Sequence, residues 1–308
     1  MRKTLIWMLV LIYLVILAGA LVRMTGSGMG CPDWPKCFGQ YIPPTDISQL
    51  PDDYKTRFSV LGKEIADFSA FHTWVEYINR LLGVVLGFSI LINLVYAFGK
   101  LKSDKLLFFL AFLQLIFVGF QGWLGAVVVA TDLAPAKITV HMLMAILLIA
   151  NALYMYHRLQ QHTAIEVKSQ SAYWLIVALF LLILQIVFGT QVRESIDEIA
   201  KEMNQQGRET WIEQLPFIFK IHRSTSLIVL ATLFFSARQL IFKPNLVGKH
   251  ATLALALVIT IVLSGVSMAY LGMPAIAQPI HLLISLGLAG VLISWLIVVS
   301  TRKWKASA

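Results

Sequence analysis

Charge is what this sequence has least of. Only 13% of its 308 residues are charged, against 58% hydrophobic, and the mean hydropathy is +0.77. Soluble domains carry about a quarter charged residues, so a compact aqueous fold is excluded. Apolar–polar alternation of period two is also missing, which disfavours a transmembrane β-barrel. Cysteine is reduced to two residues, which alone would under-ligate a metal. No linker or low-complexity segment interrupts the chain. No soluble module carries a basic face, so nucleic acid is excluded as a partner.

What is there is a series of apolar runs, at about 4–22, 74–98, 105–130, 138–157, 172–192, 216–242, 250–272 and 278–300. About 20 such residues cross a bilayer as a helix. The expected fold is therefore an all-α integral membrane protein with eight transmembrane helices. The first run continues to Val22 without a small-residue cleavage site, so it reads as a helix and not as a signal peptide.

Lys and Arg set the orientation. Arg2, Lys3, Lys100, Lys102, Lys105, Arg158, Lys168, Arg238, Lys243, Lys249, Arg302, Lys303 and Lys305 share one side with only two acids, Asp104 and Glu166. The other side holds the remaining 12 basic and 14 acidic residues. The first side is expected to be cytoplasmic, with both termini inside, and the net charge of +9 is a topology signal. Two outer loops are long. One covers about 23–72; the other, about 193–215, is acidic and amphipathic and is expected to contain a surface helix.

Cys31 and Cys37 lie in GCPDWPKCFG within the first outer loop. That side is oxidising, where disulfides persist, so a disulfide is expected. Redox-active pairs are usually more tightly spaced; whether this bond is structural or exchanges thiols stays open.

The chain repeats itself. GALVR (19–23) ends the first run and GTQVR (189–193) ends the fifth. Asn79-Arg80 opens the second and His222-Arg223 the sixth; His141 opens the fourth and His281 the eighth. GWLGA (122–126) loosely matches GVSMA (265–269), with Gly122 against Gly265. Two pseudo-symmetric four-helix bundles, residues 1–165 and 166–308, are expected, each with inward-facing site residues.

Of seven histidines, His157, His162 and His250 fall at cytoplasmic helix ends, where solvation is expected, and His72 falls just before the second helix. His141, His222 and His281 open helices that all run inward from the outer side, so they share one depth. Ionisable residues within spans are costly and tend to be functional. His222 and His281 facing each other across one bundle is the arrangement for bis-His heme ligation; an interhelical hydrogen bond is the alternative. Arg23, Arg80, Arg193 and Arg223 lie near the outer boundary, suited to heme propionates or to snorkelling at the interface. Glu76 lies one turn before Asn79 on the same face, where desolvation would suit it to proton transfer; Phe219 takes its place in the other half.

These residues resemble the heme A synthase family. The resemblance covers nearly the whole chain and is carried by RMTGSGMGCPDWPKCFGQYIP (23–43), EYINR (76–80), QGWLGAVVV (121–129), His141, His222 and His281. It implies oxidation of the C8 methyl of heme O to a formyl group, giving heme A for cytochrome c oxidase. It implies heme b held by His222 and His281 in the carboxy-terminal half. It implies substrate heme in the amino-terminal half with His141 as iron ligand, Glu76 as the functional carboxylate and Cys31–Cys37 as the loop pair. Heme O synthase is an implied partner, the electron donor is not identified, and a bacterial inner membrane is the implied location. The chain departs from the pattern at Asn79, where the family carries His. His72, seven residues earlier, would sit about 10 Å higher along a helix and does not replace it.

Two other functions fit part of this pattern. A non-catalytic b-type cytochrome relay explains the His pair but neither Glu76 nor the ligand asymmetry. A transporter explains the repeats, but the spans show no mid-membrane breaks.

Overall fold

The computed structural model describes residues 1–160, 169–203, 206–238, 240–241 and 245–300. The repeat boundary after residue 165 lies outside the described residues, as do His162, Glu166, Lys168, Lys243, Arg302, Lys303 and Lys305.

Eight helices long and apolar enough to cross a membrane are present: α1 (Arg2–Met24), α2 (Ala70–Phe98), α3 (Lys105–Ala130), α4 (Pro135–Arg158), α5 (Ser169–Glu202), α6 (Phe217–Ala237), α7 (Leu246–Tyr270) and α8 (Ala277–Ser300). The chain is thus an all-helical, multi-pass membrane protein. Among the described residues only two isolated β-bridges occur, Cys37 with Gln40 and Val60 with Lys63. Helix starts follow local chemistry. Ser69, Asp104 and Asn245 cap α2, α3 and α7 by accepting from the backbone N–H of His72, Leu107 and Gly248, which satisfies donors the helix itself leaves unpaired.

Contacts divide the chain into two compact units, Met1–Ala152 and Leu153–Ala308, so the last six residues of α4 group with the second. In the first unit α2 packs on α1 and α3. Polar side chains join these apolar helices: Thr4 Oγ1 donates to Asn93 Oδ1 (2.7 Å), and Asn151 Nδ2 donates to Gln114 Oε1 (2.6 Å), linking α3 to α4. In lipid, where helices gain little from hydrophobic contact with each other, such bonds supply part of the adhesion. The second unit closes into a ring, α5 on α6, α6 on α7, α7 on α8 and α8 on α5.

Each unit carries its own cap. The loop of the first unit has a small apolar core of Phe38, Leu50 and Tyr54 around the Cys31–Cys37 disulfide. Phe38 meets Tyr54, Phe58 and Phe68 edge to face at 5.5–6.4 Å. In the second unit the expected surface helix is not separate. α5 continues unbroken to Glu202, and a 3₁₀ segment, Arg208–Gln214, follows. Val192, Ile196, Ile199 and Ala200 then bury Trp211 and Met273. The extension is amphipathic, and continuing α5 satisfies its backbone while presenting that apolar stripe to the segment that folds back.

Candidate functional site

Each unit builds its candidate site from two helical hairpins, and all four hairpins do so the same way. In each, a glycine on the outgoing helix faces a polar side chain on the returning one. A Cβ on Gly19 (α1) would lie 3.8 Å from Asn79 Oδ1 (α2), and one on Gly125 (α3) 3.8 Å from His141 Cε1 (α4). A Cβ on Gly189 (α5) would lie 3.2 Å from His222 Cε1 (α6), and one on Gly265 (α7) 3.6 Å from His281 Cε1 (α8). The glycines leave room for flat rings against a helix backbone. The repeat register changes on α3: Gly125, not Gly122, is the counterpart of Gly265, and Gly122 faces open space.

In the second unit the rings of His222 and His281 lie 6.3 Å apart, centre to centre. Two imidazole nitrogens each about 2.0 Å from one metal, with ring centres roughly 1.1 Å further out, would separate those centres by about 6 Å. The observed spacing fits a shared metal. The tautomer of His281 fits as well. Ser264 Oγ donates its only hydrogen to Ile261 O (2.8 Å) and accepts from His281 Nδ1 (2.8 Å). That leaves the His281 Nε2 lone pair for a ligand bond. His222 is held through its backbone: Gln185 Nε2 donates to His222 O (2.5 Å), and Thr225 Oγ1 donates to Gln185 Oε1 (2.5 Å). Among the described residues His222 Nδ1 is buried without a hydrogen-bond partner of ordinary geometry, unlike His281 Nδ1. Among the described residues no group of three or more His, Cys, Asp or Glu gathers as a metal cluster, so the pair is suited to a metal that brings its own equatorial ligands.

The first unit repeats the frame with different chemistry. Gln121 Nε2 donates to His141 O (3.1 Å), as Gln185 does to His222. Among the described residues His141 Nδ1, Gln121 Oε1 and Asn79 Oδ1 are all buried without a partner. Glu76, one turn from Asn79, is buried at 4% exposure. Its carboxylate accepts from Cys31 N–H (3.0 Å) and twice from Arg80 (3.1 and 2.5 Å).

Arg80 also donates to Cys31 O (2.8 Å), Asp33 O (2.7 Å) and Lys36 O (2.9 Å). All five of its donors are used, so a propionate contact from Arg80 would require one of these bonds to break. The loop approaches closely here. A Cβ on Gly30 would lie 2.4 Å from His72 O, so only glycine fits. His72 lies inside the first turn of α2, not before it, and its Nδ1 bonds Ser27 Oγ (3.1 Å).

Among the other arginines, Arg193 donates to Gln278 Oε1 and pairs with Asp197 (2.6 Å). Arg223 is exposed, its guanidinium 5.9 Å over the Phe219 ring. Arg23 is half-buried at the end of α1.

His157 and His250 correct the expectation of solvated ends. They are only 6% and 9% exposed, and both bond Ser294 Oγ, at 2.7 and 2.8 Å. His250 Nδ1 faces Leu246 O (2.7 Å), a pure acceptor, so that nitrogen carries the proton. For neutral rings Ser294 then donates to His250 Nε2 and accepts from His157. Ser294 is 13 residues beyond His281 on α8, about 20 Å along the axis, so this trio is separate from the paired imidazoles. Sequence patterns missed it because the three residues come from three helices. The positioning residues Gln121 and Gln185 were also passed over. Their signal is a glutamine inside an apolar span, costly without a partner, four residues before the site glycine in each case.

Hairpins that bring two imidazoles together inside a multi-pass helical protein are suited to a membrane-embedded metallocofactor. The sequence makes the assignment specific. The chain belongs to the cytochrome oxidase assembly protein family, whose profile it matches over residues 2–293. It is similar to the heme A synthase of Bartonella bacilliformis, 27% identical over 212 residues covering 62% of this chain and 58% of that one. Against the heme A synthase of Shewanella oneidensis it is 33% identical over 184 residues, 59% of this chain and 53% of that one. Against that of Flavobacterium johnsoniae it is 25% identical over 211 residues, 61% and 60% of the two chains. The chain spans little more than half the length of these curated relatives.

Proposed function

We propose that this protein is a heme A synthase, oxidising the C8 methyl of heme O to a formyl group through two hydroxylations and loss of water. The observation that carries this reading is the asymmetry between two otherwise matching frames. One holds two imidazoles 6.3 Å apart. The other holds one imidazole, a carboxamide and a buried carboxylate.

In this reading His222 and His281 hold heme b, which supplies one-electron transfer from a coordinatively closed iron. Ser264 and Gln185 keep the two rings in place. His141 holds the substrate heme, and Gly19 and Gly125 admit its plane. Glu76, fixed by Arg80 and the Cys31 N–H, is the carboxylate that handles protons or positions the methyl. Arg23, Arg193 and Arg223 are the candidate propionate contacts. The Lys and Arg distribution supports cytoplasmic termini, with both sites toward the outer face of a bacterial inner membrane. Heme O synthase is the proposed source of substrate.

The test is to express the full chain with a source of heme O and to identify the extracted hemes by chromatography with mass detection. Heme b together with heme A, the latter lost in Glu76→Ala, is the expected result. Heme b with heme O left unconverted would point instead to an electron relay.

A further inference from the structure

Three of the four returning positions are imidazoles, and the fourth is Asn79. Its Oδ1 is buried with no hydrogen-bond partner among the described residues. A buried carbonyl oxygen without a partner is costly, so this side chain calls for a donor that arrives with a ligand. Gly19 keeps the space beside it clear of side chain, its Cβ position being 3.8 Å from that oxygen. His141 Nδ1 and Gln121 Oε1 are orphaned as well among the described residues, so three of the four unmet buried polar atoms of the first unit, all but Trp74 Nε1, lie at or beside the two positions that match the His pair of the second. A neutral carboxamide is a poor iron ligand compared with imidazole, but it offers both a donor and an acceptor.

We propose that Asn79 is the hydrogen-bonding group of an open coordination position: opposite an iron held by His141, it stabilises water on the ferric heme and a small diatomic ligand on the ferrous heme. This rests on the reading of the first unit as the substrate-heme pocket. A bound water would donate to Asn79 Oδ1. A diatomic ligand would instead meet the amide N–H after a turn about the last side-chain torsion. The second unit has no such position, because imidazoles occupy both sides.

The experiment uses the full chain loaded with both hemes and carbon monoxide as the probe. The heme held by His222 and His281 is closed and serves as an internal reference for folding. One of the two hemes is expected to bind carbon monoxide in the wild type. Asn79→His should abolish that binding and turn the first heme low-spin. Asn79→Leu should keep it, raise the C–O stretching frequency and convert the ferric heme from six- to five-coordinate. Two hemes with no carbon monoxide binding would overturn the open position while leaving the two-heme reading intact. Unchanged stretch and ferric spectra in Asn79→Leu would overturn the contact. A single heme, lost in His222→Ala, would instead remove the substrate-pocket reading and this inference with it.

Discussion

Gly189 lies directly against the imidazole of His222: a methyl group on its Cα would stand 3.2 Å from His222 Cε1. That is too close without movement of the ring, whereas the same methyl on Gly19 would meet Asn79 at an ordinary 3.8 Å. Overpacking of this kind costs about 1–3 kcal/mol. Gly189→Ala is therefore expected to weaken heme retention in the second unit by about 5- to 150-fold, with Gly19→Ala leaving the heme of that unit unchanged. Heme occupancy after purification, read from the reduced absorption spectrum, checks both.

Ser264 holds the tautomer of His281 without touching any ligand itself. Outer partners of this kind are worth about 10- to 100-fold in metal affinity. Ser264→Ala should lower heme affinity in the second unit and shift the reduction potential of that heme alone, while Ser264→Thr, which keeps the hydroxyl, should restore both. A redox titration separates this from general destabilisation, which would disturb both hemes.

Arg80 and Glu76 form a largely buried pair at 2.5 Å, with side chains 13% and 5% exposed. Removing one partner of a buried pair strands the other charge at a cost of about 3–5 kcal/mol. Arg80→Leu should therefore lower thermal stability more than Glu76→Gln, whose amide oxygen still accepts from Cys31 N–H. Conversion of heme O should be lost in both. Equal melting temperatures for the two variants would show that the pair with Glu76, and not the bonds to the loop carbonyls, is what Arg80 chiefly contributes.

The disulfide closes a seven-residue segment whose carbonyls at Cys31, Asp33 and Lys36 all receive Arg80. Closing a short loop restrains the unfolded chain by roughly 2–3 kcal/mol. Reduction, or Cys31→Ser with Cys37→Ser, should increase protease cleavage between residues 25 and 69 and leave the 206–216 segment unaffected. Fragment masses after limited proteolysis would show it.

Part of the site's arrangement was legible in the sequence: His222 and His281, at matched depth, do face each other, and the hairpin repeat follows from spaced glycines and the polar residues opposite them. The register on α3 did not, because two glycines three residues apart match equally well until one of them meets an imidazole. Arg80 read as a propionate contact or a snorkelling side chain because a sequence shows its charge and depth, not the three loop carbonyls that occupy its donors.

The sequence by itself determined the eight spans, because a bilayer requires about 20 apolar residues per crossing and tolerates few exposed charges. It also determined which polar residues open the second helix of each hairpin. Only the tertiary structure decided that His157, His250 and Ser294 form one buried trio, that Glu76 is locked by Arg80 and the disulfide loop, and that Asn79 Oδ1 has no partner among the described residues. Helical periodicity is local, so it sorts residues by depth and face. Hydrogen bonds between side chains on different helices depend on packing, and no spacing along the chain records it.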